Sequence, residues 1–369
     1  MGAARVMAGI REFANRVLGR GDATIAVPSF DGALKPNESL EQAETILECV
    51  APEDLATDGV NVFLADGPRL LRLDGATATE IRGFDQPISA LACLAGGGLA
   101  VALGGREVRI YESPTSAEPR AVFSNGLSAV NALATAPDGA IIATDGSQSR
   151  GVDHWATDLM ERGHSGRVLA LDPANGSVKT LAGGLEFAFG ACVQGAATLV
   201  SESWRHRVVS VGPDGSTSVF LAHLPVYPSR LSPAASGGFW LTAFTARSLL
   251  IEFVLREPAY RRRMMAEIAP EHWIAPRLRS GLSFKEPMQG AHIKTMGVVK
   301  PWAPPRSYGL VIRLNEDGAP LYSLHSRVDG INHGVVSAIE VGGDLLMIAK
   351  GPRRVLRLAI APLEKEFGA

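Results

Sequence analysis

Apolar residues in this chain come in short runs that alternate with polar ones and end on the glycine-bearing turns PDG, ADG, TDG, GGG and SGG. Runs of that length and period, bounded by such turns, predict β-strands in hairpin order rather than helices. Six stretches repeat the pattern strand, turn, strand, turn, strand. They are PEDLATDGVNVFLADGPRLLRLDG from Pro52, ISALACLAGGGLAVALGGREVRIY from Ile88, VNALATAPDGAIIATDGSQ from Val130 resuming as GRVLALDPANG at Gly166, LEFAFGACVQGAATLVSESWRHRVVSV from Leu185, YPSRLSPAASGGFWLTAFTARSLLIEFV from Tyr227, and HGVVSAIEVGGDLLMIAKGPRRVLRLAI from His333. One meander cannot cover both of its faces, whereas six packed radially around an axis cover one another. The predicted fold is therefore all-β, a six-bladed β-propeller, with a two-sheet sandwich as the alternative. Closure of the ring falls to ETILECV, residues 44–50, which precedes the first full unit and can add to the last one beside RRVLRLAI.

Two insertions interrupt the repeat. SRGVDHWATDLMERGHS lies inside the third unit, and residues 254–306 lie inside the fifth. The second holds ten Lys and Arg against four Asp and Glu, and its Arg261, Arg262 and Arg263 form an exposed helix face or meet an anionic surface. Both insertions are expected to act as lids over one propeller mouth. Ahead of the repeats, Val6, Ile10, Phe13 and Val17 share one face of a predicted helix whose remainder carries Arg5, Arg11, Arg16 and Arg20. Such a helix docks on its own domain or lies on an anionic membrane. The chain thus divides into an N-terminal amphipathic helix with its lead-in, residues 1–43, and one propeller, residues 44–369.

Composition narrows the classes further. With 369 residues, a net charge of −2 and 46% hydrophobic residues, the chain can bury a large core and lacks the basic balance of a nucleic-acid binder. Cys49, Cys93 and Cys192 have neither CxxC spacing nor an even count, so no zinc site or disulfide framework is predicted. No apolar run reaches the about 18 residues of a membrane span, and the N-terminus has no leader-like apolar core. A cytoplasmic protein is expected, a monomer or weak homo-oligomer, with peripheral membrane contact through residues 1–20. The GxSxG, HExxH, P-loop and GxGxxG signatures do not occur.

In a propeller the first strand of each blade is innermost, and its leading residues face the channel. Counting back from the second strands puts Glu53, Ser89, Asn131, Phe189, Arg230 and Val336 at equivalent positions. A carboxylate and an amide on one axis offer oxygen to a hard cation, but two such residues are too few for a protein-built cage. Asp54 and His333 are expected at the same mouth, with Ser229 and Ser337 beside them. Arg230 could hold a substrate carboxylate or phosphate while Glu53 or His333 acts as general base. Alternatively, Glu53 and Arg230 form an internal ion pair that plugs the channel. His154, His164 and His292 in the insertions are further candidates for the mouth. Asp66, Asp145 and Glu202, at the ends of second strands, are expected to be turn and hydrogen-bonding residues, with His206 at the blade turn that follows Glu202.

Blade by blade, the chain resembles the strictosidine synthase-like and paraoxonase-related propellers, gluconolactonases included. PEDLATDG is similar to that family's first-blade PE or SED motif, and VNALATAPDG to its third-blade Asn motif. LEFAFGACVQGAATLVSES resembles the FANG-to-E(T/S) blade, and LPVYPSRLSPAASGGFWL the PDN…DGxFWV blade. The resemblance implies a calcium held by the first-blade Glu, the Asn residues of blades three and four, and the Asp-Asn of blade five. Glu53 and Asn131 match; the FANG Asn is Phe189, and the PDN pair is Ser229 and Arg230. A guanidinium where a ligating anion should be repels a divalent ion, so no metal and no other cofactor is expected. A Pictet-Spengler condensation, which in that family resembles catalysis by a last-blade glutamate, is not expected, because the comparable position is Ser337, with Glu340 in the outer half of the strand. The resemblance instead implies hydrolysis of an ester or lactone of a small, anionic metabolite in a metal-poor or metal-free channel. Two alternatives stay open: a metal-free acid–base lyase or isomerase using Glu53 with Arg230, and a non-catalytic binding propeller.

Overall fold

The computed structural model describes residues 27–283, 286, 294–295, 298–299 and 306–368. The predicted N-terminal helix, His292 and part of the second insertion lie outside the described residues. Six antiparallel four-stranded sheets surround one axis. Their innermost strands are Pro52–Thr57, Ile88–Cys93, Val130–Thr135, Ala188–Gln194, Val226–Pro233 and Val335–Val341, and each touches the innermost strand on either side, so the ring closes. Closure uses the predicted strand: Glu44–Glu48 pairs antiparallel with Arg354–Ala359 as the outermost strand of blade six. Second strands such as Val62–Asp66 and Leu99–Leu103 are buried at every position, because neighbouring blades cover both faces and leave no solvent side to alternate with.

The fifth blade departs from the predicted repeat. SLLIEFV is not its third strand: Leu249–Arg256 forms helix α2, and Gly309–Leu314 takes the place beside Phe239–Ala246. Ser248 caps that helix by accepting from Ile251 N at 3.4 Å, and Ile251 and Val254 bury one face at helical spacing. Helix α3, Pro258–Glu267, follows with proline at its start. In blade three, helix α1, Trp155–Glu161, stands between strands Ile141–Asp145 and Gly166–Leu171. Leu159 and Met160 of α1, Val254 of α2, Met264 of α3 and Trp273 join one apolar cluster with Phe187, Trp204 and Phe244 of the blades. Both insertions are thereby anchored at the same end of the channel.

Three blades share a latch built from the acids at their second-strand ends. Asp66 Oδ1 accepts from Val50 N at 2.9 Å and Ala51 N at 2.6 Å, Asp145 Oδ1 from Ala129 N at 2.7 Å, and Glu202 Oε1 from Glu186 N at 2.8 Å. Each acid's other oxygen meets an arginine in the first two positions of the third strand, Arg69, Arg167 or Arg207. The carboxylate thus satisfies backbone N–H groups that precede the innermost strand and have no ladder partner. Because Asp145 is fully buried, Asp145→Ala should cost about 3 kcal/mol, measured as a lowered urea midpoint at unchanged slope. A loss below about 1 kcal/mol would show that the latch is worth no more than a surface pair.

Candidate functional site

Register along the innermost strands is broken once in five of the blades and twice in blade five, where it also shifts between Tyr227 and Pro228. The pairing with the second strand skips Glu53 in blade one, Ser89 in blade two, Asn131 in blade three and Val336 in blade six; it skips Phe189 with Gly190 in blade four and Ser229 with Arg230 in blade five. These are β-bulges, which leave the extra residue without a ladder partner and re-aim its polar groups. Those at Glu53, Ser89, Asn131 and Val336 aim carbonyls at the axis, where Arg230 donates to them. Its Nη1 donates to Glu53 O at 2.9 Å and Val336 O at 3.4 Å, and its Nη2 to Ser89 O at 2.8 Å and Asn131 O at 2.7 Å. Nη2 also lies 3.4 Å from Glu53 Oε1, Nε lies 3.2 Å from Asp54 Oδ1, and the guanidinium carbon sits 5.3 Å from the centre of the Phe189 ring. Every blade thus contributes to the surroundings of one side chain.

Close approach at this point demands glycine. A Cβ on Gly190 would fall 2.4 Å from Ser229 O and 2.6 Å from Arg230 Cα, and one on Gly146 would fall 2.3 Å from Asn131 Nδ2. Phe189-Gly190 therefore combines a ring against the guanidinium with a bare backbone that lets blade five reach the axis.

A cavity of about 200 Å³ opens above the ring, with Glu53, Ser89, Asn131, Phe189 and Val336 in its lining. Trp155 of α1, Phe187, Trp204 and Phe244 complete an aromatic wall with Phe189. Phe187 stacks on Trp204 at 4.4 Å and Trp155 meets Phe244 edge-on at 5.3 Å. Asp158 fastens α1 to this wall by accepting from Trp204 Nε1 at 2.8 Å. On the other side, Glu252 of α2 is held by Arg247 Nε at 3.1 Å and His206 Nε2 at 3.2 Å, while His206 Nδ1 contacts Val226 O at 3.1 Å. Burial depresses the His206 imidazole, and although burial works against it, His206 and Arg247 bring the Glu252 carboxyl down to about 2.

The ion pair at the cavity floor includes a residue that the sequence analysis missed. Lys350 Nζ bonds Glu53 Oε2. Strand pairing places Lys350 one residue past the second strand of blade six, where blades one to three carry Gly67, Gly104 and Gly146. A lysine in a glycine position was the available signal. Burial alone would raise the Glu53 carboxyl, but Lys350 and Arg230 outweigh it and hold the group below its ordinary range.

The remaining predicted site residues stand behind the ring and not in the cavity lining. Asp54 accepts from Leu91 N at 2.9 Å, Leu55 N at 2.9 Å and Ser337 Oγ at 2.9 Å; burial raises its carboxyl against the pull of Arg230. Ser229 Oγ is shared by Thr242 and Val335 O. His333, expected at the mouth, is absent from the cavity lining, with Nδ1 2.7 Å from Ser307 Oγ and Nε2 2.7 Å from Arg327 O. Arg230 itself is only 6% exposed and both of its Nη groups are engaged by the ring, which removes the guanidinium expected to greet an anionic substrate. Glu340 accepts from Trp240 Nε1 at 3.0 Å between blades five and six, far from a catalytic position on the axis. His154 is exposed beside the lining residues Val152 and Asp153, and His164 is absent from the lining.

Calcium does not fit these residues. Arg230 and Lys350 already balance Glu53 and Asp54, the axial carbonyls accept from Arg230, and a phenyl ring occupies the fourth blade's position. A divalent ion added here would face two cations at contact range. Among the described residues, no three His, Cys, Asp or Glu side chains gather as a metal site.

The geometry defines a class: a six-bladed propeller whose axis is closed by a protein cation beneath an aromatic cavity. A strictosidine synthase family model matches residues 131–210, which make up most of blades three and four. The human adipocyte plasma membrane-associated protein is 28% identical over 343 residues, covering 85% of this chain and 76% of its own; its bovine counterpart is 27% identical, covering 87% and 79%. A gluconolactonase from Xanthomonas campestris superposes with a TM-score of 0.54 at 14% identity, covering 86% of this chain and 90% of its own. Regucalcin from Agrobacterium tumefaciens, a calcium-binding protein, gives 0.55 at 12%, covering 86% and 93%; at these identities both likenesses show the fold alone. The chain thus resembles the strictosidine synthase-like propellers in sequence over residues 131–210, and shares the six-bladed fold of the gluconolactonase and regucalcin structures. The relatives' names overturn the expected cytoplasmic location, since they place those proteins at the plasma membrane. That expectation rested on a missing apolar span, and among the described residues no helix is long and apolar enough to cross a membrane. A protein held at a membrane surface needs no such span.

The ionic floor sets a pH dependence. With its folded value below the ordinary 4.5, the Glu53 carboxylate contributes its full stability above that pH and loses the contribution as pH falls through the folded value, because the unfolded chain takes the proton first. In Glu53→Gln, melting temperature measured against pH should therefore fall less steeply below about pH 4.5 than in wild type. Identical acid limbs would contradict the ionised pair.

Proposed function

We propose that this protein is a membrane-associated propeller that takes a small, largely apolar ester or lactone into the axial cavity and hydrolyses it without a metal. The observation that carries this reading is the Glu53–Lys350 pair opening onto five aromatic rings. In that arrangement the Glu53 carboxylate removes a proton from an attacking water as the new C–O bond forms at the acyl carbon. Lys350 stabilises the oxyanion, and the ester C–O bond then breaks with the proton passing to the departing alcohol oxygen. Trp155 and Phe244 supply the apolar surface that excludes bulk water. The buried Ser89 hydroxyl, without a partner among the described residues, is the group left to bond a ligand oxygen. An anionic metabolite is not favoured, because Arg230 is spent on the ring. Helices α1, α2 and α3 would serve as the lid, on a propeller of residues 44–369 preceded by a lead-in of residues 1–43. The names of the relatives and the basic-apolar pattern of residues 1–20 support peripheral membrane contact. A non-catalytic binding propeller is the second reading, favoured by the fact that both Glu53 oxygens are already engaged.

On a panel of aryl and alkyl esters and lactones, Glu53→Gln should lower kcat by roughly 10²–10⁴-fold with KM little changed, and Trp155→Ala should chiefly raise KM. Turnover unaffected by Glu53→Gln would sink the hydrolytic reading. Ligand-induced melting shifts that persist in Glu53→Gln, with no turnover in wild type, would select the binding reading. Deleting residues 1–20 should abolish co-flotation with anionic liposomes; undiminished flotation would refute that contact.

A further inference from the structure

We propose that the axis of this propeller is a cation site whose cation is covalent: the Arg230 guanidinium occupies a ring of bulged carbonyls that would otherwise need an ion. Four carbonyls, those of Glu53, Ser89, Asn131 and Val336, are freed from their ladders by bulges and converge on two nitrogens. The Glu53 and Asp54 carboxylates complete an all-oxygen donor set on the same group. Neutral carbonyls plus two carboxylates are what a hard divalent cation selects, and buried carbonyls without a donor are costly. A planar fork serves several of them at once, which a single ammonium cannot. Because the cation is part of the chain, the ring closes without regard to metal supply. This inference concerns the axis and stands whether or not the cavity above it hydrolyses anything.

Removing the side chain should therefore expose a vacant site for a small cation. Arg230→Ala is expected to melt lower than wild type by on the order of 5 °C. Millimolar methylguanidinium or calcium should recover part of that loss, with matched sodium chloride ineffective. Arg230→Lys, which keeps the charge but not the fork, guards against an Ala variant that fails to fold; it should melt below wild type. An Ala variant as stable as wild type, an Ala variant that neither cation restores, or a Lys variant equal to wild type overturns the proposal.

Discussion

Four backbone bulges, at Glu53, Ser89, Asn131 and Val336, point carbonyls at one axis and require a donor there, and Arg230 is that donor. Much of the local structure follows from this need. Gly190 is bare because blade five must come within contact of blade four to deliver the guanidinium. Phe189 lays its ring against the cation, and Asp54, tied to Leu55, Leu91 and Ser337, supplies charge from behind. Lys350 then pairs with the free side of Glu53, so the floor of the cavity is neutral as a whole while remaining strongly polar. Such a floor beneath an aromatic wall can orient a dipolar group, such as an ester carbonyl, without first having to shed a bound ion.

How much of this was legible in the sequence depended on whether the repeat was regular. The six innermost strands, the ring of axial residues and the closing strand at Glu44–Glu48 follow from turn spacing and alternation, because the propeller repeats both. The acids Asp66, Asp145 and Glu202 fit the reading of turn-stabilising residues for the same reason. Blade five failed where SLLIEFV offered an apolar run too short for its period to separate strand from helix; Ser248 as a cap was the overlooked sign. His333 was expected at the mouth, but its partner Ser307 arrives from the far side of a long insertion. The aromatic wall gathers Trp155, Phe187, Trp204 and Phe244 from three blades, a convergence that linear spacing does not encode.

The balance of charge at the axis also changes what the family likeness can mean for this chain. At this axis the carbonyls are taken up by a side chain, and the polar groups lining the cavity include Glu53, Lys350 and Ser89, whose hydroxyl has no partner among the described residues. The helical insertions bring Trp155 and Leu278 to the rim, so access to the cavity is governed by segments outside the repeat, while its floor is fixed by the repeat itself.

The central claim is that the cation of this axis is Arg230 and that no ion shares it. Isothermal titration of calcium into the wild-type protein, after exhaustive chelation, tests this most directly. The structure predicts no saturable heat, since the carbonyls are occupied and two cations already face two carboxylates. A stoichiometric, saturable calcium site lost on Glu53→Gln would contradict it.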